Sequence, residues 1–96
     1  MSTFVSLLNF TDQGIKDVKE SPRRYEAFRM AAEKLGVTVK GVYYTVGHYD
    51  AVLILEGPDE AVTAALLKTG SLGDVRSEAL RGFSVDEMKK IVGMMP

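Results

Sequence analysis

The run Gly47-His48-Tyr49-Asp50 gathers an imidazole, a phenol and a carboxylate behind a single glycine. An imidazole titrates near neutral pH and can serve as acid, base or ligand. The Asp50 carboxylate can accept a hydrogen bond from a ligand amine or act as a general base. Tyr43 and Thr45 lie just upstream, and Arg81 lies far downstream. A guanidinium such as that of Arg81 can hold a carboxylate ligand with two parallel hydrogen bonds. The candidate ligand-binding set is therefore Tyr43, Thr45, His48, Tyr49, Asp50 and Arg81. Each also has a plainer reading. Gly47 supplies the positive φ of a turn, and Asp50 accepts from turn amides. Tyr49 packs with its hydroxyl at the water boundary, and His48, the lone histidine, is solvated at a turn tip. Tyr43 and Thr45 pack at an interface. Arg81, like Glu78, is a charge on a polar strand that discourages edge-to-edge pairing.

Other chemistries lack their residues. There is no cysteine, so thiol catalysis, disulfides and the commonest zinc sites are excluded. No pair of histidines at helical spacing and no carboxylate cluster is present, and no metal or other cofactor is expected. No glycine-rich phosphate loop or serine nucleophile motif occurs, and the Gly70–Gly73 spacing does not suit phosphate. The acids Asp59, Glu60, Asp86 and Glu87 are accounted for by helix starts. No catalytic constellation is evident.

The elements that must carry these residues can be read from hydrophobic period and punctuation. Thr3–Phe10 is a short apolar strand. Thr11 is placed to cap a helical turn through Ile15 and Val18. Ser21-Pro22 starts a longer helix, with Ser as cap and Pro in the first turn. Tyr25, Phe28, Ala32 and Leu35 share one face of it, and Lys34 and Gly36 mark its end. Thr38–Val46 is a second strand, the tight turn Gly47–Asp50 follows, and Ala51–Glu56 is a third. Gly57-Pro58-Asp59-Glu60 opens a second helix with Val62 and Leu66 on its apolar face, together with Ala65 and Leu67, broken between Gly70 and Gly73. Val75–Phe83 is a more polar fourth strand. Ser84-Val85-Asp86-Glu87 is a capping box, and it predicts a last helix with Met88, Ile91 and Val92 turned inward. The class is α+β: a ferredoxin-like βαββαβ sandwich plus a C-terminal helix, in one domain spanning residues 1–96.

The strands predict a partner. Alternate residues point to opposite faces. Val5 and Leu7 oppose Phe4, Leu8 and Phe10, while Val52 and Ile54 oppose Ala51, Leu53 and Leu55. A sheet with one wet face should be polar at alternate positions. With two main helices to cover one face, the other needs a second copy of the chain or the C-terminal helix. If Val46 pairs with Ala51, Tyr43 and Thr45 share the second face with Val52 and Ile54. A ligand pocket is then expected near Tyr43, with Asp50 at its end, Arg81 reaching in, and His48 and Tyr49 at its mouth. If the face instead interlocks with a second subunit, no void remains.

Composition bounds the rest. The 96 residues are 46% hydrophobic and 26% charged, with net charge −1. That balance offers no steering toward nucleic acid or anionic membrane. The apolar runs are too short for a bilayer span. The start of the chain lacks a basic stretch ahead of an apolar core, so no signal peptide and a cytoplasmic location are expected.

Several blocks together carry a resemblance. They are Asn9-Phe10-Thr11-Asp12-Gln13-Gly14-Ile15, Ser21-Pro22-Arg23-Arg24, Gly47-His48-Tyr49-Asp50-Ala51-Val52 and Val75-Arg76-Ser77-Glu78-Ala79-Leu80-Arg81. In these the chain resembles the GYD-domain family of small bacterial proteins, over nearly its whole length. The resemblance implies assembly as a dimeric α+β barrel and supplies no activity. His48 occupies the motif's variable position. A looser similarity, in Gly47-x-Tyr49-Asp50 and the elements after it, is to the effector-binding domain of Lrp/AsnC regulators, which binds amino acids at an oligomer interface. The expectation is a small-molecule-binding homo-oligomeric module. The alternatives are a cofactor-independent enzyme of isomerase, decarboxylase or monooxygenase type, and a purely structural oligomerisation module.

Overall fold

The computed structural model describes residues 2–96. The elements run β1 (Ser2–Phe10), α1 (Asp12–Lys16), a 3-10 turn (Val18–Glu20), α2 (Ser21–Lys34), β2 (Thr38–Tyr44), β3 (Ala51–Gly57), α3 (Asp59–Ser71), β4 (Val75–Gly82) and α4 (Val85–Gly93). The strands form one antiparallel sheet in the order β2-β3-β1-β4. This is the expected ferredoxin-like α+β arrangement, with α1 and α2 between β1 and β2, α3 between β3 and β4, and α4 after the last strand.

The alternation read in β3 is seen directly. Ala51, Leu53 and Leu55 are buried under the helices, while Val52 and Ile54 lie half-buried on the opposite face. Leu8, Val37, Val62, Ala32 and Ala65 complete the core, with Tyr25 and Phe28 packed against it. Opposite residues of paired strands share a face. Val5 and Leu7 of β1 and Leu80 of β4 therefore lie on the same open face as Val52 and Ile54. Tyr43 sits there too, paired with Val52 and 68% exposed. Among the described residues, no element covers this apolar face.

The connection between β2 and β3 is longer than the tight turn expected. Tyr44, not Val46, pairs with Ala51, and Val46 stands fully in solvent. Because the shift in register is two residues, every side chain keeps its predicted face. Asp50 explains the wider loop. Its amide donates to the Leu8 carbonyl and its carbonyl accepts from the Thr45 amide, which closes the hairpin across the loop's base.

Helix boundaries differ from expectation where a side chain finds a distant partner. Ser21 is the first residue of α2 and makes no cap; Glu20 precedes it in helical conformation. The Ser21 hydroxyl instead meets the Tyr44 hydroxyl at 2.9 Å. α3 runs through Gly70 to Ser71, and Leu67 points outward, 69% exposed. Thr11 does cap α1, accepting from the Gly14 amide at 3.1 Å. The capping box of α4 is present, with Ser84 and Glu87 exchanging side chain-to-backbone bonds. The bond that the Ser84 amide donates to the carboxylate is the largest cause lowering the Glu87 carboxyl pKa, with the Ser84 hydroxyl and Arg81 nearby adding to it. Met88 and Val92 are not turned inward. They are 46% and 55% exposed, and α4 carries its apolar side free of the sheet.

Candidate functional site

The motif blocks, far apart in sequence, meet at one end of the sheet. Asn9, at the end of β1, donates from Nδ2 to the His48 carbonyl at 2.6 Å. The next amide, of Phe10, donates to Asp50 Oδ2 at 2.8 Å. Asp50 thus closes the last donor of β1 where the sheet ladder stops, a use of carboxylate that needs no ligand. Thr45 Oγ1 donates to the Tyr49 carbonyl at 2.6 Å and stiffens the loop from within. The Tyr49 hydroxyl crosses the sheet end and donates to Glu78 Oε2 of β4 at 3.0 Å. That bond to a carboxylate, with its negative charge, raises the Tyr49 pKa above the ordinary tyrosine value.

Gly47 has φ of +152°, a region that side chains rarely adopt, although a Cβ there would meet nothing within 4 Å. Its constraint is conformational and not steric crowding. Gly47→Ala should therefore destabilise by on the order of 1 kcal/mol through backbone strain alone. Urea unfolding checks this, and an unchanged midpoint would remove the argument.

A second cluster abuts the first. Thr11 donates from its amide to the Asp74 carbonyl at 3.0 Å and from Oγ1 to the Gly73 carbonyl at 2.6 Å. Gln13 Nε2 donates to Asp74 Oδ1 at 2.9 Å. Arg24 reaches from the first turn of α2 to the Asp17 and Gly14 carbonyls at 3.1 and 3.3 Å. Its Nε lies 3.7 Å from Asp74 Oδ2. Arg24 thereby ties α1, the start of α2 and the α3–β4 connection into one corner.

This corner borders a cleft of about 280 Å³ between the helix face of the sheet and helices α2 and α3. Its walls include Leu8, Phe28, Leu53 and Leu66, and its polar lining includes Asp50, Tyr44 and Ser21. The cleft is not the one expected from sequence. Tyr43 and Thr45 do not line it. Arg81 does not join Tyr43, because it pairs opposite Phe4 and so lies on the helix face. Its guanidinium stacks 4.4 Å from the Phe83 ring centroid and donates to the Thr3 and Gly82 carbonyls. His48 is exposed in the loop. Of the candidate residues, Asp50 alone lines the cleft. Thr45, His48, Tyr49 and Asp50 share the loop beside it. Sequence reading missed Tyr44, Ser21, Arg24 and Asp74. The Ser21-Pro22-Arg23-Arg24 block was the available signal, hidden by its adequacy as a helix start. Among the described residues there is no cluster of three or more His, Cys, Asp or Glu that could hold a metal, and no helix long and apolar enough to cross a membrane.

Comparison with known proteins decides the family. The GYD domain profile matches residues 4–92. The chain belongs to the GYD-domain family. A curated relative is 32% identical over 90 residues, covering 92% of this GYD domain and 95% of its own length. It is the "Glutamine synthetase and cystathionine beta-lyase binding protein" of Thermus thermophilus. Among solved structures, a homoserine dehydrogenase from Thiobacillus denitrificans superposes with a TM-score of 0.51 over 83% of this chain at 15% identity. The GYD domain spans 16% of that chain, and the likeness is one of fold. The residues that converge at the sheet end, from Asn9 to Gly14 and from Gly47 to Asp50, lie within the family match.

Proposed function

We propose that this GYD domain is a binding module that works as a homo-oligomer and docks onto other proteins. The observation that carries the reading is the open sheet face. Val5, Leu7, Tyr43, Val52, Ile54 and Leu80 form a continuous apolar surface that the chain's own helices leave uncovered. Contiguous surfaces of this kind mark interaction sites on folded proteins. A second copy is the simplest cover, since two-fold dimers are the commonest assemblies and their interfaces match a patch to itself. Tyr43 belongs to this surface, with its hydroxyl at the rim.

The second half of the reading rests on the Thermus relative, whose name describes a protein that binds two enzymes. The surface here that would suit such docking is α4 and the residues just after it. Val85, Met88, Val92 and Met95 recur at helical spacing, and all are well exposed. Methionine side chains such as Met88 and, just past the helix, Met94 and Met95 adapt to partner grooves because they are flexible and polarizable.

Light scattering coupled to size exclusion tests both halves. Alone at micromolar concentration, the protein should elute with a mass at least twice its 10.5 kDa. Mixed with the glutamine synthetase or cystathionine beta-lyase of the same source, it should co-elute with one of them. A stable monomer would overturn the assembly, and free elution beside both enzymes would overturn the docking.

A further inference from the structure

The cleft between the sheet and helices α2 and α3 has no part in the assembly just described, since it lies on the opposite face of the sheet. We infer that it is a binding site for a compact apolar amine, roughly one aromatic or branched hydrocarbon body bearing a protonated nitrogen. Protein interiors hold few voids larger than a water molecule. A dry cavity of roughly 150 Å³ accepts benzene, and ligand pockets start near roughly 300 Å³. At about 280 Å³ this cleft suits a ring with a short substituent. Its lining is mostly apolar, with Leu8, Tyr25, Phe28, Leu53 and Leu66 contributing.

The polar lining then selects the chemistry. Arg24 is occupied by the Asp17 and Gly14 carbonyls and by Asp74. Asp74 is occupied by Gln13 and Arg24. The Ser21 and Tyr44 hydroxyls bond each other, leaving one hydroxyl hydrogen between them. Asp50 spends Oδ2 on the Phe10 amide, and its Oδ1 has no protein partner among the described residues. A carboxylate only accepts when ionised, so this oxygen is open to a donor, and a cationic one gives the stronger bond. Ser21 and Tyr44 line the same cleft as Asp50, so this hydroxyl pair belongs to its polar lining. Lys68 also lines the cleft, but it is an exposed residue of α3. A carboxylate ligand held by Lys68 is therefore the competing outcome.

The test is amide chemical-shift titration of the labelled full chain at neutral pH with phenethylamine, 2-phenylethanol and phenylacetate. Phenethylamine should saturate, move the amides of Phe10, Tyr44, Asp50 and Leu53 most, and bind about tenfold tighter than phenylacetate. Asp50→Asn keeps an acceptor for the Phe10 amide and removes the charge. It should weaken phenethylamine about tenfold and leave 2-phenylethanol little changed. Val42→Phe, which fills the cleft from β2, should abolish all binding while the protein stays folded. Should either variant fail to fold, the other and the comparison of probes still decide. Equal binding of amine and acid, shifts clustered elsewhere, or amine binding that survives Val42→Phe would overturn the site. So would the absence of shifts with every probe, which would leave the cleft open to the apolar side of α4 from another copy.

Discussion

Gly14→Ala should cost about 3 kcal/mol or more, enough to unfold much of the population of a marginally stable small domain. Gly14 is buried inside the short helix α1. A Cβ there would run into the Asp74 carbonyl oxygen, with the carbonyl carbon at 2.9 Å and Asp74 Cα at 3.2 Å. All three are backbone atoms, so no side chain can swing away. The close approach follows from hydrogen bonding: Thr11 binds the Gly73 and Asp74 carbonyls, which presses α1 onto the α3–β4 connection. Relief would require breaking those bonds and the Arg24 contacts behind them. Glycine is ordinarily a weak residue in a helix, and alanine would be favoured there by helix propensity. Propensity and packing thus predict opposite signs. Packing wins because the propensity gain is about 1 kcal/mol and the clash is with fixed backbone. Thermal or urea unfolding of the variant decides the matter, and a melting point at or above that of the parent would sink the close-approach argument.

Ile54→Lys should convert the proposed homo-oligomer to a folded monomer. Ile54 is central on the open face, paired with Val5 on one side and Gly41 on the other. Burying an isoleucine against a partner contributes about 1.5–3 kcal/mol. In a two-fold interface the position occurs twice, and each lysine would also bring a charge into apolar surroundings. The dissociation constant should rise by at least about two orders of magnitude. The monomer itself should keep its melting behaviour at the level set by its own core, since Leu53 and Leu55 on the helix face are untouched. Sedimentation across a concentration series measures this. Unchanged mass at the lowest concentrations would place the interface elsewhere, with α4 the next surface to examine.

The residues differ in how much of their role was readable in one dimension. Strand and helix order followed from period and punctuation, because alternation in β1 and β3 and capping at Thr11 and Ser84 are local matters. The assignment of faces survived a wrong register at the β2–β3 loop, since a slip of two residues returns each side chain to its own side. The apolar character of both faces of β3 was legible for the same reason, and so was the family, from blocks matching in order. What one dimension does not contain is which separated groups touch. Arg81 faces the helices because β4 pairs with β1 in one register, and nothing within β4 states that register. Ser21 looked sufficient as a cap until Tyr44 came within 2.9 Å of it from across the sheet edge. Arg24 meets Asp74, and Gly14 is constrained by the carbonyl of that same distant residue. Local propensity is set by a few neighbouring residues and can be read from them. The cleft and the glycine that admits α1 exist only where packing brings distant backbone and side chains together, so tertiary structure decided which residues besides Asp50 line the cleft.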